Sequence, residues 1–205
     1  MFITLEGGDG SGKTTVAKAL IKILETQGRT VVYTREPGGN PIAEQIREVI
    51  LNQANTAMDI RTEALLYAAA RRQHLVEIIE PALNEGKIVI CDRFIDSSIA
   101  YQGYGRGIGA ELVEEINDFA IAGMRPDLTI FIDVSPEIGL ERINKDANRE
   151  INRLDLEKLD FHHVVYNGYQ ELIEKHPNRI KVINGETTVD QVVTQLATLV
   201  KEQLS

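Results

Sequence analysis

The run Gly7-Gly8-Asp9-Gly10-Ser11-Gly12-Lys13-Thr14 has the spacing G-x-x-x-x-G-K-[ST]. It follows an apolar, strand-like stretch, Phe2 to Glu6, and opens a segment of helical periodicity, which is the context this motif needs. Glycines at these positions let the backbone wrap until successive N–H groups converge on phosphate oxygens at the positive end of a helix. Lys13 is placed to reach the β and γ phosphates of a nucleotide, and the Thr14 hydroxyl can ligate Mg²⁺. Gly7, Gly8, Asp9, Gly10, Ser11, Gly12, Lys13, Thr14 and Thr15 therefore form the candidate nucleotide-binding set, with ATP-Mg as the implied ligand.

Such a turn leaves the reaction open, because switches, motors and small-molecule kinases all use it. A guanine-reading switch needs N-K-x-D, and the nearest match, Asn144-Lys145-Asp146-Ala147, ends in alanine. A motor needs more chain than 205 residues. Transfer to a phosphorylated acceptor requires two polyanions side by side, so arginines must hold the acceptor phosphate and the charge that moves. Arg35 and Arg93 stand at or just beyond strand ends, Arg47 lies on the helix that follows Arg35, and Arg71 and Arg72 lie on a long helical stretch. Asp92 closes an apolar run, as a Mg²⁺-holding acid or a helix cap would. Asp9 is anomalous, since a carboxylate inside a phosphate loop opposes anion binding.

The elements that must position these groups alternate apolar strands with helices. Strands are predicted at Phe2 to Glu6, Thr30 to Glu36, Lys87 to Asp92, Leu128 to Val134 and Arg179 to Gly185. Helices are predicted from about Lys13 to Gln27, after Pro41 with Ile42, Ile46, Val49 and Ile50 on one face, from roughly Arg61 to Asn84, and from Val189 to Leu204. Near-continuous apolar strands between helices imply a parallel sheet covered on both faces, hence a three-layer α/β fold of about five parallel strands. Ligands then sit at the C-terminal edge of the sheet, where the glycine turn, Arg35 and Asp92-Arg93 all fall.

The length suits one domain over residues 1–205. The formal charge of −9 disfavours nucleic acid and acidic membranes. No apolar run is long enough to span a bilayer, and the N-terminus enters a strand without a signal-like segment. The single cysteine, Cys91, allows no intrachain disulfide, so a cytoplasmic location is expected. The four histidines show no metal-ligand spacing.

Six motifs, GGDGSGKTT, TREPGG, RTEALLYAAARRQH, CDRFIDSSIAYQG, PDLTIFIDV and NRLDLEKLDFH, occur in an order that resembles the bacterial thymidylate kinase family along nearly the whole chain. The resemblance implies a P-loop NTPase fold, transfer of the ATP γ-phosphate to dTMP giving dTDP and ADP, and a homodimer. It implies that Asp9 faces the acceptor sugar, that Arg35, Arg47 and Arg93 clamp the dTMP phosphate, and that Glu36 lies beside them. It places the base against Tyr67, where the family often has phenylalanine, with Arg71, Ser98 and Gln102 at its edge. Tyr101 lies under the sugar, crowding a 2′-hydroxyl. Phe94 stands where tyrosine or histidine is common and is read as packing. Some members carry a catalytic arginine in the phosphate loop; here that position is Gly10, so the arginine is expected from a mobile lid over residues 142–153. Arg149 is the first candidate and Arg153 the second, which with Lys13 and Arg93 completes the expected catalytic set. A kinase for another nucleotide or a deoxynucleoside, and a nucleotide-dependent regulatory protein, are the alternatives.

Overall fold

The computed structural model describes residues 1–145 and 153–204. Five strands, β1 (Phe2–Glu6), β2 (Val31–Arg35), β3 (Ile88–Asp92), β4 (Leu128–Asp133) and β5 (Ile180–Asn184), form one parallel sheet in the order β2-β3-β1-β4-β5. The three central strands are buried almost throughout, whereas β2 and β5 at the edges alternate in exposure. That difference follows from position, since only the inner strands are covered on both faces and flanked on both sides. The register pairs Ile3 with Ile90 on one side and Leu128 on the other, which aligns the strand ends at one edge.

On one face, α1 (Lys13–Thr26) and α9 (Val189–Leu204) cover the sheet with Leu20, Leu24 and Leu196. On the other, α3 (Ile60–His74) runs through a π-helical turn (Leu75–Ile79) into α4 (Glu80–Asn84), and Leu75 and Ile79 pack on Phe2 and Val89. The single helix expected from Arg61 to Asn84 is therefore interrupted. Pro81 supplies the reason: it lacks an N–H and would clash with the carbonyl four residues earlier, and the wider turn before it relieves that contact.

α2 (Pro41–Leu51) is capped by Asn40, whose side chain accepts from the Ala43 amide at 2.8 Å. Its buried residues are Ala43 and Ile50, while Ile42 and Val49 are about half exposed. This corrects the expected apolar face. Ile42 and Val49 each precede a buried position by one residue, about 100° around the helix. α5 (Ile95–Ser98) winds into a π-helical segment (Ile99–Gly105), which brings Ser98, Tyr101 and Gln102 inward together. Then come α6 (Ala110–Ile121), α7 (Pro136–Lys145), a 3₁₀ turn (Arg153–Leu156) and α8 (Leu159–Lys175).

Candidate active site

The glycine turn joins β1 to α1 at the C-terminal edge of the sheet. Gly12 begins α1 at φ 93° with no side-chain cap, so amides of the first turn are left to an anion. Lys13 Nζ folds over its own loop and donates to Gly7 O at 3.2 Å and Gly8 O at 3.0 Å. Burial, seconded by the Arg93 charge, pulls the Lys13 ammonium down to about 8 against the pull of Asp92, Asp9 and Glu6. Gly10, at φ 74°, has no room for a side chain: an added Cβ would lie 2.0 Å from the Gly139 carbonyl oxygen on α7. The loop in this conformation thus excludes an arginine at position 10 on steric grounds.

Arg93 sits just beyond β3 in the left-handed region, at φ 68°. It donates from Nη2 to Asp9 Oδ1 at 2.8 Å, and the Tyr101 hydroxyl donates to Asp9 Oδ2 at 2.8 Å. The guanidinium lies 5.0 Å from the Tyr101 ring centroid and also reaches Ser97 Oγ at 3.1 Å. The loop carboxylate is therefore held as one arm of an Asp9–Arg93–Tyr101 cluster, which answers the electrostatic anomaly of an acid at that position.

Two clefts meet at this cluster. The first is lined by Asp9, Glu36, Arg47, Tyr67, Arg71, Arg93, Ser98, Tyr101 and Gln102, all of them named from the sequence, and also by Pro37, Leu51, Ser97 and Leu154. The second is lined by Gly10, Gly12, Lys13, Thr14, Arg35, Asp92 and Arg142. Asp9, Glu36, Arg47 and Arg93 border both. One cleft runs along the phosphate loop, and the other is a side chamber beneath α3 and the π-helical segment.

In the side chamber Arg71 is 2% exposed. Its Nε donates to Glu36 Oε2 at 2.7 Å, its Nη1 to Ser98 Oγ at 3.0 Å and to Asn117 Oδ1, and its Nη2 to the Phe94 carbonyl at 3.0 Å. A guanidinium has five N–H groups, so one Nη2 hydrogen is left for the chamber. Phe94 is fully buried and meets Phe2 edge to face, as its packing role requires. Arg47 Nη1 and Arg35 Nη1 both donate to the Pro37 carbonyl, at 3.0 and 2.8 Å, and Arg35 pairs with Glu44 at 3.0 Å. Arg72 instead reaches Glu80 and the Ala120 carbonyl, and it borders neither cleft.

A model of thymidylate kinase matches residues 5–196 of the chain. A thymidylate kinase of Clostridium novyi (strain NT) is 60% identical over 200 residues, covering 98% of each chain. One of Halalkalibacterium halodurans is 56% identical over 204 residues, covering 100% of this chain and 97% of the relative. The chain belongs to the thymidylate kinase family. The crystal structure of thymidylate kinase from Ehrlichia chaffeensis superposes with a TM-score of 0.77 at 37% identity, covering 98% of each chain. The family's three-layer α/β fold, with five parallel strands flanked by helices, is the fold observed.

Of the two arginines expected on the lid, only Arg153 lies among the described residues. Arg149 lies outside the described residues. Arg153 is 8% exposed, pairs with Glu63 Oε2 at 2.5 Å and donates from Nε to the Ile50 carbonyl at 3.0 Å. It is placed as an anchor beneath the side chamber, and it lines neither cleft. Asp92 does not cap the following helix, whose cap residue is Phe94. Its carboxylate lies beside the Tyr33 hydroxyl, 3.5 Å away, on the same cleft as Thr14. A carboxylate and a hydroxyl on one phosphate cleft are the hard oxygen donors that Mg²⁺ takes, so the residues fit that ion. Glu36, His74 and Cys91 also present ligand atoms within 4.8 Å of one another. There Arg71 occupies Glu36, and Thr34 holds His74 Nε2 at 2.6 Å, which gives the group a structural role.

Several site-forming residues escaped the sequence reading. Glu6 accepts from the Phe94 amide at 2.8 Å, Ser97 Oγ at 2.6 Å and the Tyr169 hydroxyl at 2.8 Å. Burial, with Asp96 nearby, raises its carboxyl to about 7. Its signal was visible, as a charged residue ending an otherwise apolar strand. Glu63, Asn117 and Tyr169 had no such signal, because each reads as one polar or aromatic position on an ordinary amphipathic helix.

Proposed function

We propose that the protein transfers the γ-phosphate of ATP to dTMP, giving dTDP and ADP, as one kinase domain over residues 1–205 with a lid near 142–153. The observation that carries this reading is the junction of the two clefts at Asp9 and Arg93. A donor bound along the glycine turn and a nucleotide seated in the side chamber would bring their phosphates together beside one guanidinium.

The acceptor phosphate is already anionic, so its oxygen needs no strong base to attack the γ-phosphorus in line. A new P–O bond forms to that oxygen, the bond to the β–γ bridging oxygen breaks, and ADP leaves with the electron pair. Lys13 and the loop amides hold the donor phosphates, while Arg35, Arg47 and Arg93 hold the acceptor phosphate. Mg²⁺, bound by Thr14 and through Asp92, would supply charge neutralisation on the donor phosphates. In the chamber, Tyr67 offers a ring face to the base, Ser98 and Gln102 face its edge, and the remaining Arg71 N–H suits a base carbonyl. Arg149 remains the first candidate for the lid arginine, and Arg142, already on the donor cleft, is a second cation near the loop.

A homodimer accompanies this reading. Leu112 and Phe119 on α6 and Leu65 on α3 are exposed, Phe119 by 90%, on helices packed side by side. An apolar face of that kind is what an isologous interface covers. No helix among the described residues is long and apolar enough to cross a membrane, and the cytoplasm is the proposed location. ADP release measured across a panel of nucleoside monophosphates and deoxynucleosides tests the substrate reading. dTMP should lead the panel, and efficient turnover of a deoxynucleoside would overturn it.

A further inference from the structure

Glu63 is 1% exposed, lies on α3 behind the chamber, and is a contact of three side chains from separate segments. Its Oε1 accepts from Gln102 Nε2 at 2.8 Å and from Arg106 Nε at 3.3 Å. Its Oε2 accepts from Arg153 Nη2 at 2.5 Å. The flanking cations are themselves anchored, Arg106 on Glu157 at 2.6 Å and over the Phe161 ring, and Arg153 on the Ile50 carbonyl. Burial alone would raise the Glu63 carboxyl, but the bonds from Gln102 and Arg153 and the two guanidinium charges hold it below the ordinary carboxylate range.

An ionised carboxylate can only accept hydrogen bonds. Facing one, the Gln102 amide must turn its NH₂ toward Glu63, and the carbonyl oxygen is the end left for the chamber. Amide orientation is decided by such partners, and without Glu63 both orientations would be open. We propose that Glu63 is a specificity-determining positioning residue, locking Gln102 so that an acceptor oxygen meets ring nitrogen N3 of the bound pyrimidine. A thymine-type base donates N–H at N3 and matches that oxygen. A cytosine-type base presents a lone pair there and is repelled. The donor left on Arg71 reinforces the choice, since it suits the carbonyl of a thymine-type base and opposes the amino group of a cytosine-type base. The inference rests on the functional reading above, in which Gln102 faces the base.

The test compares dTMP with 5-methyl-dCMP, which keeps the methyl group and sugar and differs only at the N3–C4 edge. The readout is the ratio of kcat/KM values for the two acceptors. Glu63→Gln should lower that ratio about tenfold or more, because sites built around a directed hydrogen bond discriminate far more strongly than that when intact. The loss for dTMP should fall mainly on KM. Glu63→Asp retains the charge facing Arg106 and Arg153 and withdraws the oxygens by one carbon from Gln102, so it must shift the ratio the same way even if Glu63→Gln fails to fold. In a Gln102→Ala background neither substitution should change the ratio further. An unchanged ratio in a cooperatively folded Glu63 variant, or an equal change without Gln102, would overturn the proposal. Absence of dTMP turnover by the unaltered protein would overturn the functional reading, and this inference with it.

Discussion

Arg93 Nη2 and Asp9 Oδ1 lie 2.8 Å apart at the point where the two clefts join. The pair joins the phosphate loop to the residue just past β3, and the Tyr101 hydroxyl closes it from the chamber side. An arginine held this way is oriented before any ligand binds, and its fork can bridge a carboxylate and a phosphoryl group at once.

Arg93→Lys should therefore retain the charge and lose the fork. Turnover should fall by about 10² to 10³, in the range found when one directed donor to a developing charge is removed. ATP affinity should change little, since the loop amides and Lys13 remain. Steady-state kinetics on the folded variant decide it, and turnover within a factor of two of the unaltered protein would remove Arg93 from the transition state.

Tyr101 combines a ring in the chamber with a hydroxyl on Asp9. Tyr101→Phe should cost about 1 kcal/mol of transition-state stabilisation through the lost hydrogen bond to Asp9 Oδ2, and retain discrimination against ribose. Tyr101→Ala should admit the ribonucleotide analogue of dTMP markedly better. Equal deoxyribose-to-ribose ratios in all three proteins would contradict the sugar-gate role.

The strands, the phosphate loop and the arginines at the ligand edge were legible from residue types, whereas Tyr67, Ser98, Tyr101 and Gln102 in the chamber were named only through the family resemblance. Periodicity marks strands, glycines mark the loop, and arginines beyond strand ends mark a ligand edge. What was not legible came from contacts between distant segments. Arg153 reads as a lid cation next to Asn152, but 90 residues of separation are bridged by its pair with Glu63. Gly10 reads as a missing arginine, and only the approach of Gly139 shows why no side chain fits. The exposed Ile42 and Val49 depended on the phase set at the start of α2, which a stretch with apolar residues on both flanks does not specify.

Glu6 makes a pH dependence of stability. Its folded carboxyl, raised to about 7 from 4.5, holds a proton between those values that the unfolded chain has lost. Its stabilising contribution is thus complete at low pH and is lost as pH rises through 4.5 toward 7. Stability measured relative to Glu6→Gln should fall by up to roughly 3 kcal/mol across that window. Denaturant unfolding at pH 5 and pH 7.5 checks it, and a flat difference would show that Glu6 ionises in the folded state as it does in the unfolded chain.

Phe119 is the most exposed of the large apolar side chains described. If α6 carries the homodimer contact, Phe119→Asp should produce a monomer, since a like charge on both copies meets across a two-fold axis. Sedimentation equilibrium separates the outcomes, and a dimer unaffected by the substitution would place the interface elsewhere.

The proposed reaction moves one phosphoryl group between two nucleotides that meet at Arg93. It is tested most directly by following ³¹P signals while the protein turns over ATP-Mg with dTMP. The β-phosphate signal of dTDP should grow in step with ADP, with no matching rise in inorganic phosphate. Release of inorganic phosphate without dTDP, or efficient phosphorylation of a different monophosphate while dTMP stays intact, would contradict it.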